Sequence, residues 1–165
     1  MGDSDTIALR AHHLLCLHGF RGLGYSEEFV AGMRRVQEAL GDGGQRVEVV
    51  LGPDVICRPC PHLAERPRCA REDGSERDGA VLAALDVPAG LIRPWRWWQE
   101  RLAERIPPAR FTEICCDCAW YDLGYCLEGM AALQRMRARE RGGRRDALRR
   151  AQGRLCAPRK ERELL

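Results

Sequence analysis

Two cysteine units of the same design limit what this chain can become. Cys57-Arg58-Pro59-Cys60 is followed by Cys69, and Cys115-Cys116-Asp117-Cys118 is followed by Cys126. Each is a C-x2-C pair with one further cysteine, and the x2 spacing lets two thiolates converge on one metal or cluster. The total of nine cysteines is odd, a poor start for pairing. It is also a share of about 5%, below the level that marks a disulfide scaffold. Metal or cluster ligation is the favoured reading, ahead of redox thiols or buried structural cysteines. Cys116 adjoins a ligand and is expected to point away, and Cys156 fits neither unit.

The 165 residues make one domain that folds without staples. Hydrophobic residues at 45% and charged residues at 31% exclude wholesale disorder, and no apolar run is long enough to span a membrane. The N-terminal stretch carries Asp3 and Asp5 and has no basic region before an apolar core, so the expected compartment is the cytosol, where thiols stay reduced. Arginine vastly outnumbers the single lysine, Lys160, which points to a GC-rich bacterial genome. The formal myristoylation pattern at Gly2 is discarded on that ground.

The net charge of +3 is unevenly spread. Residues 127–165 hold 12 basic and 5 acidic side chains, while the rest of the chain is net negative. The division expected is a cysteine-rich metal- or cluster-binding domain over residues 1–135 and an arginine-rich helix or tail over residues 136–165. Leu127, Met130, Ala131, Leu133 and Met136 give an amphipathic helix. Past Gly142-Gly143 the apolar positions thin out, predicting a short polar helix or a frayed end. A solvated face is favoured over a nucleic-acid contact, because no aromatic is interleaved with the arginines.

Periodicity predicts a helix over Ile7 to Phe20 and another after Ser26, its N-cap, running to Gly41. Val47 to Leu51 reads as a short strand. Asp78 reads as the cap of a helix through Leu85, and Pro94 as the first residue of a helix through Ile106. Trp95, Trp97 and Trp98 are expected to anchor a core. The fold class that results is mainly α with a small β element (α+β), a single compact domain organised around a cysteine-ligated site.

In the first helix, His12 and Cys16 at i, i+4 lie about 40° apart on a helical wheel, and His13 and Cys16 at i, i+3 can also share a face. They are further candidate ligands, with Cys16 favoured for iron. His18 is expected at the surface, and His62 as an outer hydrogen-bond donor or a loop residue. Structural zinc normally gathers its ligand pairs from a few tens of residues, whereas 54 residues separate Cys60 from Cys115. A cubane accepts such separation, and the Cys60-Pro61 step echoes the end of a bacterial ferredoxin ligand run.

Four ordered stretches carry a resemblance. They are Arg10-Ala11-His12-His13-Leu14-Leu15-Cys16; Gly22-Leu23-Gly24-Tyr25-Ser26 with Phe29; Ile56-Cys57-Arg58-Pro59-Cys60-Pro61-His62-Leu63; and Ile114-Cys115 through Cys118-Ala119-Trp120-Tyr121 to Leu123-Gly124-Tyr125-Cys126. Over about residues 7 to 135 the chain resembles a family of small bacterial and archaeal proteins of unknown function that are thought to bind iron–sulfur clusters. The resemblance implies that Cys57, Cys60, Cys69, Cys115, Cys118 and Cys126 are that family's cysteines, with Cys16, His12 and His13 a further motif.

The leading expectation is an iron–sulfur protein, [4Fe–4S] in type, that transfers electrons to a redox partner or senses oxidants, with Trp120, Tyr121 and Tyr125 shielding the cluster. The alternative is a zinc-stabilised module that contacts a protein or nucleic acid through its tail or its tryptophans. An enzyme using His12 and His13 beside a metal ranks last. No P-loop, dinucleotide fingerprint or nucleophile elbow is visible.

Overall fold

A parallel strand pair sets the frame of the computed structural model, which describes residues 6–65 and 73–155. β1 (Thr6–Arg10) lies beside β2 (Arg46–Val50), with Thr6 opposite Arg46 and Arg10 opposite Val50. β3 (Ile92–Pro94) adds to the other side of β2, antiparallel, giving the order β1-β2-β3. Parallel neighbours cannot be joined by a tight turn. The chain between them therefore crosses over through α1 (His13–Gly19) and α2 (Glu27–Leu40). Both strands then end at the same edge of the sheet, where ligands of open α/β sheets gather.

The sequence predicts helix from Ile7; the chain instead forms β1 and turns helical only at His13. Leu9 is wholly buried, as are Val47 and Val49 of the strand that pairs with β1. A short apolar run carries no period of its own, and that pairing decides its state. α2 follows its pattern: the Ser26 hydroxyl accepts the Phe29 N–H at 3.1 Å, and Phe29, Met33, Val36 and Leu40 are buried.

Beyond β2 come α3 (Pro61–Glu65), α4 (Asp73–Leu85), α5 (Trp95–Arg105), α6 (Pro108–Cys115), a 3₁₀ turn (Tyr121–Leu123) and α7 (Tyr125–Leu155). The domain is single and mostly helical with a small sheet, as its sequence predicts. Asp78 lies inside α4 rather than at its cap, and Pro94 precedes α5 rather than opening it. Trp95 and Trp98 are buried, and the Trp98 indole N–H donates to the Val47 carbonyl at 3.1 Å. Among the described residues, no helix is long and apolar enough to cross a membrane.

α1 packs against the start of α7 with no room to spare. A Cβ on Gly129 would stand 2.0 Å from the His18 carbonyl oxygen, and one on Gly19 would stand 2.4 Å from the Cys126 Cα. α7 continues through Gly142-Gly143 to Leu155, where the thinning pattern predicts a short or frayed end. Two of its arginines lie along α5: Arg137 meets Gln99 at 2.7 Å and Glu100 at 3.5 Å, and Arg141 meets Glu104 at 2.9 Å.

Candidate metal centre

The shared edge of β1 and β2 brings the histidine motif onto the first cysteine unit. Asp54, four residues past β2 and buried, holds the junction. One carboxylate oxygen accepts the backbone N–H groups of Ile56 and Cys57, each at 2.9 Å. The other accepts the Arg10 N–H at 2.7 Å and meets His13 Nδ1 at 2.6 Å. Burial would raise this carboxyl, but these hydrogen bonds outweigh it and hold Asp54 well below the usual carboxylate range.

Asp78, wholly buried, does the same for the neighbouring histidine. It meets His12 Nδ1 at 2.6 Å, accepts the His12 N–H at 3.0 Å, and takes the Arg10 Nε–H at 2.8 Å. The Arg10 guanidinium also lies beside the Cys57 thiol and favours its anionic form. The two imidazoles lie side by side, ring centres 4.3 Å apart. Burial, with His13 alongside, pushes His12 down to about 4, so it is a neutral ring at neutral pH. A carboxylate on Nδ1 fixes each ring and leaves Nε2 for a ligand, the outer arrangement that metal-binding histidines commonly have.

The second unit arrives from the far side. Cys115 ends α6, the chain turns through Cys118, and Gly124 at φ +72° starts α7 with Cys126 in its first turn. Both units fold alike: the Cys60 N–H donates to the Cys57 carbonyl and the Cys118 N–H to the Cys115 carbonyl, each at 2.9 Å. None of the seven described cysteines is in a disulfide.

Two neighbouring cavities gather the set. One, of about 110 Å³, is lined by His12, His13, Cys16, Cys57, Cys60, Cys118 and Cys126 under Tyr25, Phe29 and Trp120. The other, of about 20 Å³, is lined by Cys16, Cys115, Cys118, Cys126, Arg77 and His12. Both are far below the roughly 300–1,000 Å³ of sites that take organic ligands. A larger, open recess along α2 is lined by Arg34, Arg35 and Glu38 and by no cysteine or histidine.

Burial pushes the thiols up, joined by Asp54 at Cys57 and by neighbouring sulfurs at the others: Cys57 and Cys115 to about 12, Cys126 to about 11, and Cys16 well above its ordinary value. Arg77 faces them from α4, with its terminal nitrogen 2.9 Å from Asp117 and its Nε–H buried without a partner among the described residues.

Of the ligands expected from sequence, Cys57, Cys60, Cys115, Cys118, Cys126, Cys16, His12 and His13 therefore line adjoining walls. Cys69 and Cys156 lie outside the described residues. Cys116 is exposed, as its place beside a ligand predicts. His62 packs edge-on against Tyr25, and His18 is half-buried and stacked on Trp95 rather than placed at the surface. Asp54, Asp78 and Arg77 are the residues sequence reasoning misses. Only Asp54 leaves a trace, since Gly52-Pro53-Asp54 has turn chemistry just before a C-x2-C.

One group of three potential ligands, His13, Asp54 and Cys57, has its ligand atoms all within 4.8 Å of one another and can hold a metal ion. Residues 24–124 match the family model described as "Protein of unknown function (DUF1284)". No curated protein and no solved structure matches the chain.

Proposed function

The chain belongs to the DUF1284 family of proteins of unknown function, and from that premise we propose that it is an iron–sulfur protein with an electron-transfer or redox-sensing role. The observation that carries the reading is the meeting of four thiols, Cys16, Cys115, Cys118 and Cys126, on the wall of one small cavity. These four would hold the cluster, of the [4Fe–4S] type, which supplies one-electron chemistry.

The donor set supports a cluster: all four residues are thiols, the ligand type a cubane takes. The Arg77 Nε–H, without a partner among the described residues, fits the same group, being a donor and a positive charge beside sulfurs that become anionic on ligation. Trp120 and Tyr121 line the cavity, and the apolar cover they add would shift a cluster's potential.

The test is protein purified without oxygen. A brown sample with a broad band near about 400 nm, bleached by dithionite and matched by iron and labile sulfide, is the expected result. Cys118→Ser should abolish the band and Cys116→Ser should leave it. Stoichiometric zinc with no iron, in protein handled the same way, would defeat the proposal.

A further inference from the structure

With four thiols assigned to a cluster, the cavity of about 110 Å³ is still lined by His12, His13, Cys57 and Cys60. We infer that these four residues form a second, mononuclear metal site of the zinc class, closed by protein ligands and fastening the ends of β1 and β2 together. The inference rests on the preceding reading only in that Cys16, Cys115, Cys118 and Cys126 are taken to be committed elsewhere.

Three observations carry it. The first is the double carboxylate–histidine pairing. Each Nδ1 lies 2.6 Å from a buried aspartate oxygen, so both rings are oriented with Nε2 as the nitrogen left for a ligand, and two such pairs on adjacent residues far exceed what packing two histidines requires. The second is proximity. A ring nitrogen of His13 and the Cys57 sulfur lie within 4.8 Å of each other, so imidazole and thiol adjoin at the ends of the two strands.

The third is the state of Asp54. It belongs to that close group, yet its two oxygens are occupied by three backbone N–H groups and an imidazole. It therefore orients a ligand rather than serving as one. Replacing it by the remaining wall residues gives a two-histidine, two-cysteine set, a common structural zinc donor set. Arg10, bonded to Asp78, also reaches the Cys57 sulfur and would offset the charge of its thiolate. The pair of sites would explain why the chain carries more converging thiols than one cluster uses.

The experiment measures zinc, iron and labile sulfide together on full-length protein purified without oxygen, then follows zinc re-binding with the zinc ion alone. Wild type is expected to carry one zinc beside the cluster. His13→Gln, which keeps a donor for Asp54, and Cys57→Ala should each lose that zinc, weakening its binding at least 100-fold, while iron and sulfide stay at wild-type levels. Cys118→Ala should lose iron and sulfide and keep zinc. Circular dichroism of each variant confirms its fold, and Cys60→Ala gives a second reading should His13→Gln fail to fold.

A wild-type protein without zinc that also takes up none would overturn the inference. So would loss of iron and sulfide in folded Cys57→Ala, which would move Cys57 into the cluster's own ligand set. Absence of iron with a zinc that depends on His13 would instead overturn the cluster reading and leave this one standing.

Discussion

Arg77 puts a guanidinium on the wall shared with Cys115 and Cys118 while spending only one terminal nitrogen on Asp117. Burial would lower its affinity for the proton, but Asp117 and the two cysteines more than compensate, so it stays charged. A hydrogen bond to a charged group contributes about 1.5–3 kcal/mol, roughly ten- to a hundredfold in an equilibrium constant. Arg77→Met is thus expected to weaken cluster retention by about that factor and to make the potential more negative, since the anionic state loses its nearby charge. Asp117→Asn should do far less, because the Asp117 side chain is 69% exposed and its pairing is screened. Chelator challenge and a redox titration on the three proteins measure this; equal potentials in wild type and Arg77→Met would place Arg77 outside the site's electrostatics.

At the level of elements, what matters is how closely α1 and α7 approach, because Cys16 rides on one and Cys126 on the other. Gly129→Ala sets a methyl carbon against the His18 carbonyl, where neither backbone can yield without moving a helix. The expected cost is at least the roughly 1–3 kcal/mol of an overpacked core, with loss of bound iron as the helices part. Gly142 lies in the same helix, where an added Cβ meets nothing within 4 Å, so Gly142→Ala should stabilise by up to about 1 kcal/mol through helix propensity alone. Urea unfolding with iron analysis separates the two; loss of stability in both would mean that α7 responds to substitution everywhere and not at the contact.

Sequence makes α2 legible because its cap, period and terminating glycine agree, and it makes the cysteine and histidine ligands legible because their spacings are local. β1 is not legible: five residues with no period become strand through a partner forty residues away. The same holds for Asp78, whose bonds to Arg10 and His12 span 68 and 66 residues. Such a position has no local signature, and the carboxylate that reads as a helix cap is set by topology to orient an imidazole.

For the molecule as a whole, the buried thiols tie stability to pH in opposite ways with and without metal. In the metal-free protein Cys57 and Cys115 hold their protons to about 12 and Cys126 to about 11, because burial and neighbouring sulfurs or carboxylates oppose charge. In the unfolded chain a thiol releases its proton near about 8.5. Between those values the folded state binds more protons, so stability is intact below about 8.5 and falls as pH rises, by at most about 1.4 kcal/mol per thiol for each pH unit. Ligation reverses the dependence, since bound sulfurs are thiolates already and loading releases protons; affinity for metal should therefore rise with pH up to the thiol range. Thermal melts of reduced metal-free protein are expected to drop steadily from pH 8 to pH 10 while those of loaded protein stay nearly level. Parallel curves for the two forms would mean that the thiols lining the cavities are not the groups that take up the metal.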